Sequence, residues 1–186
     1  PSAPPPLQEN ADLRASLALA VVTLALFGLL YSLLGAGIGR ALFPAQARGS
    51  VIERDGKIVG SVLLAQPFAE GRYFHPRPSA ANYDPMAAAG SNQARSNPDL
   101  QKRLAEAIAS VSARERIAPA GVPDDLVTES GSGLDPDITP AGARVQIARV
   151  AQARGVDPAR VEALVAKTIE PKPFGLLGQP RVNVLR

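Results

Sequence analysis

The chain has 186 residues, with 20 Lys and Arg against 17 Asp and Glu, a single His and no Cys. A net charge of +3 scattered along the sequence is no nucleic-acid footprint. Lack of cysteine excludes disulfides, thiol nucleophiles and Cys-ligated metals, and one histidine, His75, excludes a multi-His metal site.

In chain order, residues 1–14 open with the proline-rich run Pro1 to Pro6 and read as a disordered leader. Residues 15–39 follow, 25 positions without a charge between Arg14 and Arg40, dominated by Leu, Ala, Val and Phe. At 1.5 Å per residue this helix is roughly 37 Å long, enough to cross a hydrocarbon layer of about 30 Å with some tilt. A cleaved signal peptide is the competing reading, because Ala45-Gln46-Ala47 resembles a cleavage site. The leading segment, however, carries Glu9 and Asp12 beside its one basic side chain, Arg14. The apolar stretch also exceeds the usual core of about 7–15 residues. The segment therefore reads as a retained transmembrane helix. Along it, Ala25, Gly28, Ser32, Gly35 and Gly39 recur at spacings of three and four, which predicts a small-residue face for packing against a partner helix.

Residues 40–48 form a connector whose Arg40 and Arg48, with Arg54 and Lys57 beyond, outnumber Arg14 before the span. The positive-inside tendency leans towards a cytoplasmic C-terminal part, although a folded domain can translocate despite such charges. Residues 49–186 suit one soluble domain. Ser50 to Arg54, the turn pair Asp55-Gly56 and Lys57 to Ala65 predict a β-hairpin, with Gly60 marking a bulge. Residues 66–97 are a long loop rich in Pro, Asn, Ser and Gly.

Asn97-Pro98 then opens a helix with an apolar stripe at Leu100, Leu104, Ile108 and Val111 and a solvated face at Asp99, Lys102, Arg103 and Glu106. A second polar loop, 118–138, leads to Thr139-Pro140 and a helix bearing Val145, Ile147, Ala148, Val150 and Ala151, stopped by Gly155. Asp157-Pro158 starts a third helix with Val161, Leu164, Val165 and Ile169, and Val182 to Leu185 predict a last strand. The expected fold is one N-terminal transmembrane helix followed by a single α+β domain with a small antiparallel sheet.

Catalytic signatures are sparse. Gly56-Lys57 is followed by Ile58 and is no phosphate loop, Gly35 to Gly39 lies in the membrane helix, and Ser130-Gly131-Ser132-Gly133 lacks the spacing of a nucleophile elbow. Only His75 could serve a Ser-His-Asp arrangement, which leaves a membrane-anchored hydrolase as one alternative and a stand-alone extracytoplasmic binding module as another. The loop around residues 127–138 packs Thr128, Ser130, Ser132 and Asp135 among glycines, a composition that caps itself or meets a partner.

Five segments then carry a family resemblance: Gly60-Ser61 through Gln66-Pro67-Phe68, Tyr73-Phe74-His75-Pro76-Arg77-Pro78-Ser79-Ala80, Gly90-Ser91-Asn92, Val127-Thr128 through Leu134-Asp135, and Gln179-Pro180 through Val184. In this order, behind one span, the chain resembles the KdpC family, the small subunit of bacterial Kdp potassium-transporting P-type ATPases. The resemblance implies a non-catalytic accessory subunit in the bacterial inner membrane that stabilises assembly of a high-affinity potassium uptake complex. The implied partners are a channel-like potassium-conducting subunit, a P-type ATPase catalytic subunit and membrane lipid. No nucleic acid, metal or cofactor of its own is implied. The chain's own residues agree with that division of labour, since they include no Asp-Lys-Thr-Gly phosphorylation segment and no Thr-Val-Gly-Tyr-Gly filter.

The family role of raising the catalytic subunit's ATP affinity implies a nucleotide contact, for which Gln146 is the candidate, with an exposed helix residue as the alternative reading. The family placement of the soluble domain in the periplasm opposes direct ATP contact and overrides the charge count. Tyr73, Arg77, Ser79, Asn92, Thr128, Ser130 and Asp135 are the expected partner or entrance-loop residues.

Overall fold

The computed structural model describes residues 9–186, with side chains described from Leu13 onward. Residues 1–8 of the expected leader lie outside the described residues. Two compact units divide at Ser50–Val51.

The first unit is one long helix and a short one. Helix α1 (Glu9–Thr23) takes in the end of the expected leader and passes into a π-helical segment, Leu24–Leu30, then α2 (Tyr31–Leu42). Leu13–Leu42 is a 30-residue apolar helix whose most apolar 18-residue stretch has mean hydropathy 2.4, and it is longer at both ends than the 15–39 predicted. Its side chains are exposed, Leu24 by 74% and Phe27 by 67%. A surface so apolar is stable only in hydrocarbon or against other apolar helices.

The π segment alters the predicted small-residue face. Tyr31 N–H donates to Leu26 O, a five-residue step, so each residue there turns through less than the roughly 100° of an α-helix. Ser32, Gly35 and Gly39 keep α spacing on α2, whereas Ala25 and Gly28 lie in the wider turns and are rotated off that line. Pro44 starts the one-turn α3 (Pro44–Ala47).

The second unit starts with hairpin β1 (Val51–Arg54) and β2 (Lys57–Ser61). Asp55 and Gly56 take φ of +53° and +73° at the turn, the conformation whose twist suits a two-residue hairpin. Ile52 faces Gly60 but Glu53 faces Ile58, so the extra residue of the bulge is Val59, beside the predicted Gly60. Strand β2 ends at Ser61 rather than Ala65. There Ser61 Oγ accepts from Leu63 N at 3.1 Å and its carbonyl from Leu64 N at 3.2 Å, turning the chain out of the ladder.

Three longer helices form the body: α4 (Pro98–Glu115), α5 (Pro140–Arg154) and α6 (Pro158–Thr168). Each opens on the predicted cap followed by proline. Asn97 accepts from Asp99 N, Thr139 from Gly142 N and Asp157 from Ala159 N, all at 2.8–2.9 Å, satisfying orphan first-turn amides. Gly155 ends α5 at φ +63°.

The core lies between these helices, with Val111, Ile147, Val150, Ala151, Val161 and Val165 buried. Burial of each valine stabilises by roughly 1.5–3 kcal/mol. The inward face of α5 runs through Ala143, Gln146, Ile147 and Val150, while Ala148, placed on the apolar stripe by sequence, is exposed. A second sheet, absent from the sequence reading, pairs β3 (Asp137–Ile138) with β4 (Val182–Asn183) in antiparallel register. The predicted last strand stops at Asn183, whose Oδ1 accepts from Leu185 N at 3.0 Å. The fold is thus a single apolar helix followed by an α+β domain with two small sheets instead of one.

Candidate functional site

The polar loops are ordered by bonds between segments distant in sequence. Arg77 reaches Asp135 Oδ2 with Nη1 at 3.2 Å, and with Nη2 the carbonyl of Glu129 at 3.1 Å and Thr128 Oγ1 at 3.4 Å. Ser130 N donates to Pro78 O at 3.2 Å, and Ala65 N to Leu134 O at 2.8 Å. Ser79 Oγ accepts from Ala81 N and Tyr83 N at 3.1 and 2.9 Å. The Tyr83 hydroxyl donates to Arg77 O at 2.9 Å, and burial pushes this phenol above its ordinary pKa. Asp135 Oδ1 also holds Asp137 N at 3.0 Å, at the start of β3.

Arg77, Ser79, Thr128, Ser130 and Asp135 are therefore brought together. Tyr73 stands apart, stacked on Phe68 with ring centroids 5.0 Å apart and flanked by the Arg72 and Arg154 guanidiniums. Asn92 is exposed at φ +50° and makes no side-chain hydrogen bond among the described residues.

Glycines let the loops touch. A Cβ on Gly133, at φ +71°, would lie 2.8 Å from Ala89 O, and one on Gly90 would lie 2.9 Å from Gly131 O. Only hydrogen fits at these contacts.

A second cluster, unforeseen from sequence, fixes the aromatic segment before Arg77. The Glu115 side chain is fully buried at the end of α4 and accepts from Arg114 Nε at 2.6 Å and Arg149 Nε at 2.9 Å. Arg149 Nη1 also donates to the carbonyls of Gly71 and Tyr73 at 2.6 and 2.9 Å, and Nη2 to Gln146 Oε1 at 2.7 Å. Gln146 Oε1 accepts from His75 N at 2.8 Å, while its Nε2 donates to His75 O and Gly142 O, both at 3.1 Å.

Gln146 is thus no exposed helix residue: its relative exposure is 0%, and both amide atoms carry two bonds within the chain. That saturation explains why an amide is tolerated where a hydrophobe would pack. Arg103, expected on a solvated face, pairs with Glu129 at 3.3 Å.

His75 sits among these groups. Burial first, then the Arg114 and Arg149 guanidiniums, lowers its pKa from 6.5 to about 4, so the ring is neutral at pH 7. Among the described residues its ring hydrogen-bonds to Glu70 O, 3.4 Å from Nε2. Among the described residues, no serine hydroxyl bonds to it and no three of His, Asp and Glu converge as a metal site.

The sequence signal for this cluster was periodicity. Glu115 continues the stripe Leu104, Ile108 and Val111, and Gln146 falls between Ala143 and Val150, so both occupy inward positions.

A family model described as KdpC, K+-transporting ATPase, c chain, matches residues 13–186. The chain is 62% identical over 181 residues to a Xanthomonas axonopodis pv. citri (strain 306) protein named potassium-transporting ATPase KdpC subunit, covering 97% of this chain and 88% of that one. It is 52% identical to the Shewanella putrefaciens protein of that name, with 94% and 85% covered. It is 48% identical to the one from Sorangium cellulosum, with 94% of each chain covered.

Proposed function

The chain belongs to the KdpC family of potassium-transporting ATPase subunits, and from that premise we propose that it is a non-catalytic accessory subunit which stabilises the assembled complex. The observation that carries this reading is the match over residues 13–186, which takes in the apolar helix as well as the folded domain. In this reading the Leu13–Leu42 helix anchors the subunit in the bacterial inner membrane and packs its Ser32, Gly35 and Gly39 face against a channel-like potassium-conducting subunit. Small side chains permit the close backbone approach on which helix association in lipid depends. The P-type ATPase subunit supplies ATP hydrolysis, and the domain from Val51 onward stands on the periplasmic side.

Among the described residues the His75 ring pairs with the Glu70 carbonyl and with no serine hydroxyl, so the Ser-His-Asp alternative gains no geometry. The latched loops present Arg77, Ser79, Thr128 and Asp135, with Ser130 buried beneath at 3% exposure, as a stiff surface suited to meeting the conducting subunit near its entrance. Any increase in the catalytic subunit's ATP affinity proceeds without a contact from Gln146, whose buried amide has no surface to offer a nucleotide. Purification in mild detergent tests the assignment: a multispan subunit and a P-type ATPase accompany the chain, and recovery as a lone monomer refutes it. Protease added to intact spheroplasts cleaves the domain if it is periplasmic and spares it if it is cytoplasmic.

A further inference from the structure

A cavity of about 470 Å³ opens between α5, α6, β4 and the Tyr73-Phe74 segment, within the volume range of small-molecule sites. Its walls are hydrocarbon: Val150, Val161, Val165 and Val182 from the core, with the Phe74 ring and Leu164, which is 57% exposed at the mouth. Its polar neighbours are of two kinds. Thr168 and Asn183 are already engaged, Thr168 Oγ1 with Val165 O at 3.0 Å and Asn183 Nδ2 with Val62 O at 2.8 Å and Asp137 Oδ1 at 3.0 Å. The charged lining residues are all cations, Arg154, Arg160 and Arg186, with no carboxylate side chain among them. Arg186 is shared with Glu170, and Arg154 gives Nε to Arg72 O at 2.8 Å with its guanidinium 5.7 Å from the Tyr73 ring centroid.

From this lining we infer that the cavity binds a single-chain anionic lipid, its hydrocarbon chain against the valines and its carboxylate at Arg154 and Arg160. A peptide is the poorer occupant. Its amides would enter a largely hydrocarbon wall in which Thr168 and Asn183 are already engaged, and unpaired buried amides are costly. A hydrocarbon chain carries no such groups and gains by leaving water. Guanidiniums along the lining of an apolar slot match a carboxylate head, which Arg can hold by paired hydrogen bonds. The chain's own bilayer-length helix keeps the domain tethered to a bilayer, from which such a lipid can be drawn. The inference does not depend on the subunit's place in a complex.

The test is photolabelling of the full chain in phosphatidylcholine nanodiscs with a diazirine-bearing palmitate, mapped by mass spectrometry. The Leu13–Leu42 helix is labelled in any case and serves as the internal standard. Labelling of Leu164, Val165 or Thr168, competed by unlabelled palmitate, is the expected result. The matching diazirine fatty alcohol labels α6 about tenfold less, a difference of about 1.4 kcal/mol. Leu164→Asp, at an exposed position, abolishes the α6 adducts and leaves those on the membrane helix, with unchanged thermal melting. The inference is overturned if only the membrane helix is labelled, or if acid and alcohol label α6 equally. Protection of α6 by an apolar peptide where palmitate gives none overturns it as well.

Discussion

Protonation of His75 offers a direct probe of the buried cluster. The native ring takes up a proton only near pH 4, against 6.5 for an unconstrained histidine, because burial and the nearby Arg114 and Arg149 charges oppose the imidazolium. Between those values the unfolded chain binds the proton and the folded chain does not. Stability is therefore fully present above pH 6.5 and falls as pH drops towards 4. At about 1.4 kcal/mol per pH unit the ceiling is about 3 kcal/mol. The ring is only half-buried, and solvent screening brings the expected loss to about 1–2 kcal/mol.

Because the sequence holds one histidine, a ¹³C-histidine sample of the full chain, purified with a histidine-free tag, gives one imidazole signal to titrate by NMR. Its midpoint is expected near 4. Arg114→Gln should raise it only part of the way, burial being the larger cause. The difference in urea stability between wild type and His75→Gln should shrink or change sign by about 1–2 kcal/mol from pH 7 to pH 4. A midpoint at or above 6.5 would refute the packing described around the ring.

Truncating Glu115 to alanine removes the carboxylate that anchors Arg149, and should cost about 3–5 kcal/mol in urea unfolding, with faster amide exchange at His75. Gly133→Ala forces a Cβ to within 2.8 Å of Ala89 O at positive φ and should cost about 2 kcal/mol or more. Gly121→Ala, with open space around the new methyl, should stay within about 0.5 kcal/mol. Leu in place of both Gly35 and Gly39 should reduce recovery of the membrane partner in a pull-down, and unchanged recovery would remove α2 from that contact.

What sequence conveyed well was local. The long uncharged run, the Asp55-Gly56 turn and the three cap-proline pairs at Asn97, Thr139 and Asp157 each fix their own backbone through neighbouring atoms, so they were legible without tertiary context. What it concealed depends on partners far along the chain. Strand β3 is two residues long and exists because Val182 and Asn183 arrive beside it. Arg149 carries no signal in the helix's own sequence, because the carbonyls it holds lie 76 and 78 residues away. Gln146 and Glu115 broke the rule that inward positions are apolar, and each does so with its hydrogen bonds satisfied. The π segment carries no residue signature at all, since Leu, Ala, Phe and Gly suit either helix.

Residues 71–75 follow a path set by a splint instead of a ladder. One guanidinium and one amide grip three carbonyls and a backbone N–H at discrete points. A strand laid along the same route would have presented a row of open peptide groups to any passing chain. Pinned backbone without a repeating edge lets this stretch keep an irregular course and display its rings while offering stray polypeptide nothing to zip onto.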